Sequence, residues 1–167
     1  MKPYPDYGTG KYVCRCPAVV PNNTQGWTKV NTDPVKVGTK DNRPGIVKVP
    51  KPGKILKFKL VHVCGGISCS YRYPLTHFGC HQSFFGLFIT DTTKQVLSPK
   101  LKHQHASFYS IPGSTPYDAE FTLPEMSPTL NVANQQELQI WYGEDAFNHY
   151  ETDNFGIVQI DLYCYYI

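Results

Sequence analysis

Proline and glycine interrupt this chain so often that no long helix fits inside it. Fourteen Pro and thirteen Gly are spread along 167 residues; Pro removes a backbone donor and Gly loosens the chain. Between these breaks the apolar residues are mainly Val, Ile, Phe and Tyr, which suit a pleated, half-buried surface. Residues 55–63 show the period of a strand: Leu56, Phe58 and Leu60 point one way, Lys57 and Lys59 the other. Comparable stretches occur at 35–37, 46–49, 84–89, 119–123, 137–142 and 156–163. About eight strands at this spacing predict an all-β fold, a jelly-roll-like antiparallel β-sandwich. Residues 1–45 read as an irregular N-terminal segment, rich in turn residues and packed on the main body through Trp27 and Val30; residues 46–167 form the sandwich domain.

Charge and composition exclude several classes. A net charge of +3 is too small to mark a nucleic-acid binder, and no finger or RNA-binding signature is present. No apolar run is long enough to cross a bilayer, so membrane insertion is not expected. Ser68 lies in Gly66-Ile67-Ser68-Cys69-Ser70, which is not the nucleophile-elbow pattern, and no spacing singles out a catalytic triad. The chain is therefore read as a binding protein and not an enzyme.

The cysteines point to the compartment. Six are present, Cys14, Cys16, Cys64, Cys69, Cys80 and Cys164, an even number that suits a disulfide-stapled, secreted domain. The expected pairing is Cys64 with Cys69, and Cys14 or Cys16 with Cys80 or Cys164. Zinc is the competing use, but Cys64, Cys69 and Cys80-His81 lack the paired spacing of finger sites. Asn22-Asn23-Thr24 is a sequon, which makes Asn22 a glycosylation candidate. The N-terminus carries no apolar leader, so a secreted protein would be met here in mature form. Lys48, Lys51, Lys54, Lys57 and Lys59 could form a patch for sulfated polysaccharide; a solvated sheet face is the simpler reading.

The most informative stretch runs from 141 to 156, between two good strands. It crowds Glu144, Asp145, Glu151 and Asp153 into ten residues, with Asn148 and Asn154 among them. Carboxylates held this close repel one another unless a cation joins them. Calcium takes six to eight hard oxygens from carboxylates, amides and backbone carbonyls, and a loop that returns on itself can set Asp145 beside Asp153 and Asn154. The spacing is not that of an EF-hand. The plain alternative is an exposed acidic loop in which Asn and Asp only make turns.

At this loop the chain resembles the LecA-type galactophilic, calcium-dependent lectins of Pseudomonas. The residues that carry the likeness are Glu144-Asp145 after a strand, then Asp153-Asn154-Phe155-Gly156 before the last strand. Upstream, Gly65-Gly66 through Tyr71 and Cys80-His81 through Ile89 follow in the family's order. The WYGED…DN-G ending is also similar to endings of invertebrate extracellular proteins, which implies a remote eukaryotic relative. The resemblance covers about residues 45–163. It implies a Ca2+ ion held by the side chains of Asp145, Asp153 and Asn154, with carbonyls near Ser70 or Tyr71 and near Asn148 or His149. It further implies that sugar hydroxyls bind that ion, with Tyr73, Pro74, Thr76, His77, Asp145 and Asn154 around the ligand. Tyr73 and Thr76 stand where the family has His and Gln, so galactose itself is not assured. The expected partner is a glycan, and multivalent binding would suit a homo-oligomer. The alternative function is a secreted adhesion or matrix module that binds protein, with calcium structural or absent.

Overall fold

The computed structural model describes residues 26–102 and 106–167. Asn22, Cys14 and Cys16 lie outside the described residues. Among the described residues ten strands run in two antiparallel sheets. They are β1 (Trp27–Lys29), β2 (Val35–Gly38), β3 (Gly45–Lys48), β4 (Gly53–Ser68), β5 (Leu87–Thr90), β6 (Val96–Ser98), β7 (Glu120–Thr122), β8 (Leu130–Val132), β9 (Glu137–Tyr142) and β10 (Phe155–Tyr166). One sheet has the order β1-β10-β4-β7, with β2 also on β10 and β8 also on β4; the other has the order β3-β9-β5-β6. The sandwich expected from the strand pattern is present. The strands missed by pattern, β1, β6 and β8, are three residues each, too short for alternation to register. Residues 27–38, expected to be irregular apart from one short strand, supply β1 and β2 to the larger sheet.

The core lies between the sheets. Phe58, Leu60, Ile67, Val158, Ile160 and Leu162 of the larger sheet meet Leu87, Ile89, Leu138 and Ile140 of the smaller one, all essentially inaccessible to solvent. The long pair β4–β10 forms the spine, and two bulges break its register. One falls where Tyr165 faces Lys57 and Tyr166 faces Ile55. It leaves Leu56 half-buried and turns Ile55 inward in its place, because an extra residue inverts the alternation. Leu56 was expected to point inward with Phe58.

The cysteine pairing differs from the expectation. Cys69 is bonded to Cys80, clasping the loop after β4 to the approach to β5. Cys64 is disulfide-bonded, though not to Cys69, and Cys164 is a buried free thiol. Sequence proximity suggested Cys64–Cys69, but Cys64 lies inside β4 and Cys69 beyond its end. The lysines at 57 and 59 belong to a satisfied sheet face: Lys57 pairs with Glu125 at 2.9 Å, and Lys59 lies over the Trp27 and Tyr163 rings.

Candidate functional site: the acidic loop

The loop between β9 and β10 is forced inward at both ends by glycine. At Gly143 a Cβ would lie 2.2 Å from the Ser107 carbonyl oxygen. At Gly156, where φ is +99°, it would lie 2.1 Å from the Gly66 carbonyl oxygen. Between them runs one turn of helix, α1 (Gly143–Phe147), then a 3-10 turn (Glu151–Asp153). Asn148 ends α1 in the left-handed region and its N–H donates to the Glu144 carbonyl. The close glycine contacts hold α1 against the body, so Glu144 and Asp145 are buried where a loop acid would ordinarily face water.

Asp145 is fully buried. Its carboxylate accepts the backbone N–H of Asn42 at 2.9 Å and of Arg43 at 3.0 Å. Asn154, also fully buried, donates from Nδ2 to the Thr39 carbonyl at 3.0 Å. Both therefore fasten the β2–β3 connection to the acidic loop. The Glu151 carboxyl is hydrogen-bonded to that of Asp145 and accepts from the Asp41 backbone; burial, the bond to Asp145 and the Asp145 charge raise its pKa above the usual glutamate value. Burial pushes Glu144 up to about 7, opposed by a hydrogen bond from Asn154 and reinforced by the Asp153 and Glu151 charges.

Three oxygens in this loop are buried without a hydrogen-bond partner: Glu144 Oε2, Glu151 Oε2 and Asn154 Oδ1. An unpartnered buried acceptor carries a desolvation penalty of about 1–3 kcal/mol, so each of the three would gain from a donor or a cation. Their chemistry, carboxylate and amide oxygen, is that of calcium ligands. No three carboxylates among the described residues bring oxygens within 4.8 Å of one another, so amide and carbonyl oxygens must complete any shell. The three metal-type side chains that do come that close, Cys69, Cys80 and His81, include a disulfide and make no metal site.

The expected site residues do not all fall in one place. Asp145 and Asn154 both reach the 39–43 segment, and the Asp153 charge acts on Glu144. Ser70 and Tyr71 come to the same end of the sandwich, because β10 begins with Phe155 opposite Ser68 and the Tyr71 ring stacks on Phe155 at 5.2 Å. Asn148 is exposed in the loop, and His149 donates its N–H to the Glu144 carbonyl and lies 3.1 Å from Ser107 Oγ. Tyr73 and Pro74 are exposed, with Tyr73 stacked on His81 at 3.8 Å. Thr76 and His77 depart from expectation. Thr76 is fully buried, and its hydroxyl donates to the Ile67 carbonyl and accepts the Gly79 N–H, so its one proton is committed inside a turn and its side chain is closed to solvent. His77 stacks on His62 at 3.7 Å and bonds the Asp118 carbonyl at 2.7 Å.

Sequence reasoning missed the 39–43 segment. Asp41 and Asn42 both adopt positive φ, which Asx residues tolerate. Thr39, Asp41 and Arg43 also line a groove of about 770 Å³ that runs past Phe155 and Gly156. The Asp-Asn-Arg-Pro-Gly run signalled a turn; nothing in it signalled Asp145 as the partner. Glu144 was counted among the acids of the loop, but its burial was not visible.

No protein-family model and no curated protein matches the chain. Among solved structures it is similar to AJLec, a lectin from the sea anemone Anthopleura japonica. The TM-score is 0.76 at 29% identity, over 85% of this chain and 98% of that one. The chain thus has a lectin fold.

Proposed function

We propose that this chain is a secreted carbohydrate-binding protein whose sugar site lies at the acidic loop and depends on bound Ca2+. The observation that carries the reading is that Glu144, Glu151 and Asn154 of one loop each keep an unpartnered buried oxygen, in the loop that also buries Asp145. Likeness to a sea-anemone lectin supports the class, and the calcium mode rests on the sequence resemblance to LecA-type lectins alone. Asp145, Asp153 and Asn154 would hold the ion, with carbonyls of the Ser70–Tyr71 and Asn148–His149 segments. Calcium would supply flexible coordination able to accept neutral sugar hydroxyls, and the same carboxylates and amides would accept hydrogen bonds from those hydroxyls. Tyr73 and Pro74, exposed beside this end, would contact the sugar ring. The disulfide at Cys69–Cys80 and the bonded Cys64 suit an extracellular compartment.

One observation favours a second reading. Asp145 and Asn154 already fasten residues 39–43, so calcium here could serve only to lock that connection in a protein-binding module. Calorimetric titration of calcium into EDTA-stripped protein, followed by a glycan array with and without calcium, separates the two. Stoichiometric calcium binding with calcium-dependent glycan capture supports the lectin. Calcium binding with no glycan captured leaves the module, and no calcium heat overturns the proposed site.

A further inference from the structure

The acidic loop presents one side chain that its own architecture does not use. Tyr150 is 88% exposed. Its backbone is left-handed, with φ +43° and ψ +31°. Such a conformation suits Gly, Asn or Asp and strains a bulky residue; Asn148 nearby adopts it as expected. Among the described residues with positive φ, Tyr150 is the one aromatic. A ring that packed on the body would explain the strain, but almost all of this ring faces solvent. Its place in the chain is specific: it joins α1, which carries Glu144 and Asp145, to the 3-10 turn that carries Glu151 and Asp153. Tyr71, 66% exposed, borders the same loop through its stack on Phe155.

We infer that Tyr150 is a sugar-contacting residue, its ring offering a stacking face to the apolar C–H side of a pyranose whose hydroxyls meet the acidic loop. This rests on the carbohydrate reading above. The chemistry suits the ring: an aromatic face takes C–H groups, two side-chain torsions limit the entropy lost, and the phenol can add one hydrogen bond. The left-handed backbone goes with an outward-facing side chain, beside acids that the same loop buries, Glu144 and Asp145.

The test uses Tyr150→Asn, which relieves the backbone, and Tyr150→Phe, which keeps the ring. The probe is a panel of immobilised oligosaccharides ending in galactose, N-acetylgalactosamine, mannose or fucose, with calcium present. Tyr150→Asn should melt at or above the wild-type temperature, bind calcium as wild type does, and bind its best glycan about three- to tenfold more weakly. Tyr150→Phe should stay within about twofold. Wild-type glycan affinity in Tyr150→Asn overturns the inference while leaving the lectin reading intact. A loss of calcium affinity in Tyr150→Asn would overturn it too, by making Tyr150 a prop of the loop. If the wild-type protein captures no member of the panel, the carbohydrate reading fails and this inference with it.

Discussion

Replacing Glu144 with glutamine should stabilise the calcium-free protein at neutral pH and erase part of its pH dependence. Burial carries this carboxyl from its ordinary 4.5 to about 7. At about 1.4 kcal/mol per tenfold change in acidity, the ionised form destabilises the fold by about 3 kcal/mol. The direction follows from linkage. Below pH 4.5 the group is protonated in both states and contributes no penalty. As pH rises toward 7 the unfolded chain ionises first, so stability falls, and above 7 the loss is complete. Glu151 is raised in the same direction and adds to the decline. Asp91 is held low by Thr93 and Gln95, so its contribution changes only below its ordinary 3.8, outside this window. Glutamine keeps the shape of Glu144 and can still bond Asn154, while carrying no charge. Urea unfolding in EDTA, repeated from pH 4.5 to beyond 7, reads the difference. Wild type should lose midpoint across the window, and Glu144→Gln should lose clearly less. Coincident curves for the two proteins, or a wild-type midpoint that rises with pH, would refute the burial argument and with it the case for a strained acidic cluster.

Other outcomes follow from the same geometry. Asp145→Ala leaves the Asn42 and Arg43 amides without their acceptor and should destabilise by about 3 kcal/mol, measured by urea unfolding; Asp153→Ala, at a partly exposed position, should cost less stability while still weakening calcium binding. Thr76→Ala should lower stability by about 1–3 kcal/mol through its two lost bonds yet leave glycan affinity unchanged in the array, since its hydroxyl is already spent in a turn. Cys164, whose thiol burial pushes up to about 12, should resist a maleimide in the native protein and react only under denaturant; rapid native labelling would contradict its placement.

Much of the fold was legible because strand patterning is local. Residues 55–63, 137–142 and 156–163 alternate or run apolar over enough positions to announce strands, and the observed β4, β9 and β10 contain them. The exceptions are equally local in cause. Leu56 was misplaced by a bulge visible only once Tyr165 and Tyr166 lie opposite, and β1, β6 and β8 are too short to show a period. The site was half legible. Crowded acids at 144–154 stood out as charge, but nothing in their spacing told which would be buried.

What the sequence by itself determined is the class of structure and the place to look. Frequent Pro and Gly exclude long helices, alternation builds sheets, and a dense run of acids in one loop identifies an electrostatic problem that needs an answer. Only the tertiary structure decided how that problem is met. Contacts between residues about a hundred positions apart bring the Asn42 and Arg43 amides to Asp145 and the Thr39 carbonyl to Asn154. The same packing removed Glu144 from water, buried Thr76 in a turn, stacked His77 on His62, and joined Cys69 to Cys80. Burial and long-range pairing are properties of two sheets closing on each other, and no single strand carries them.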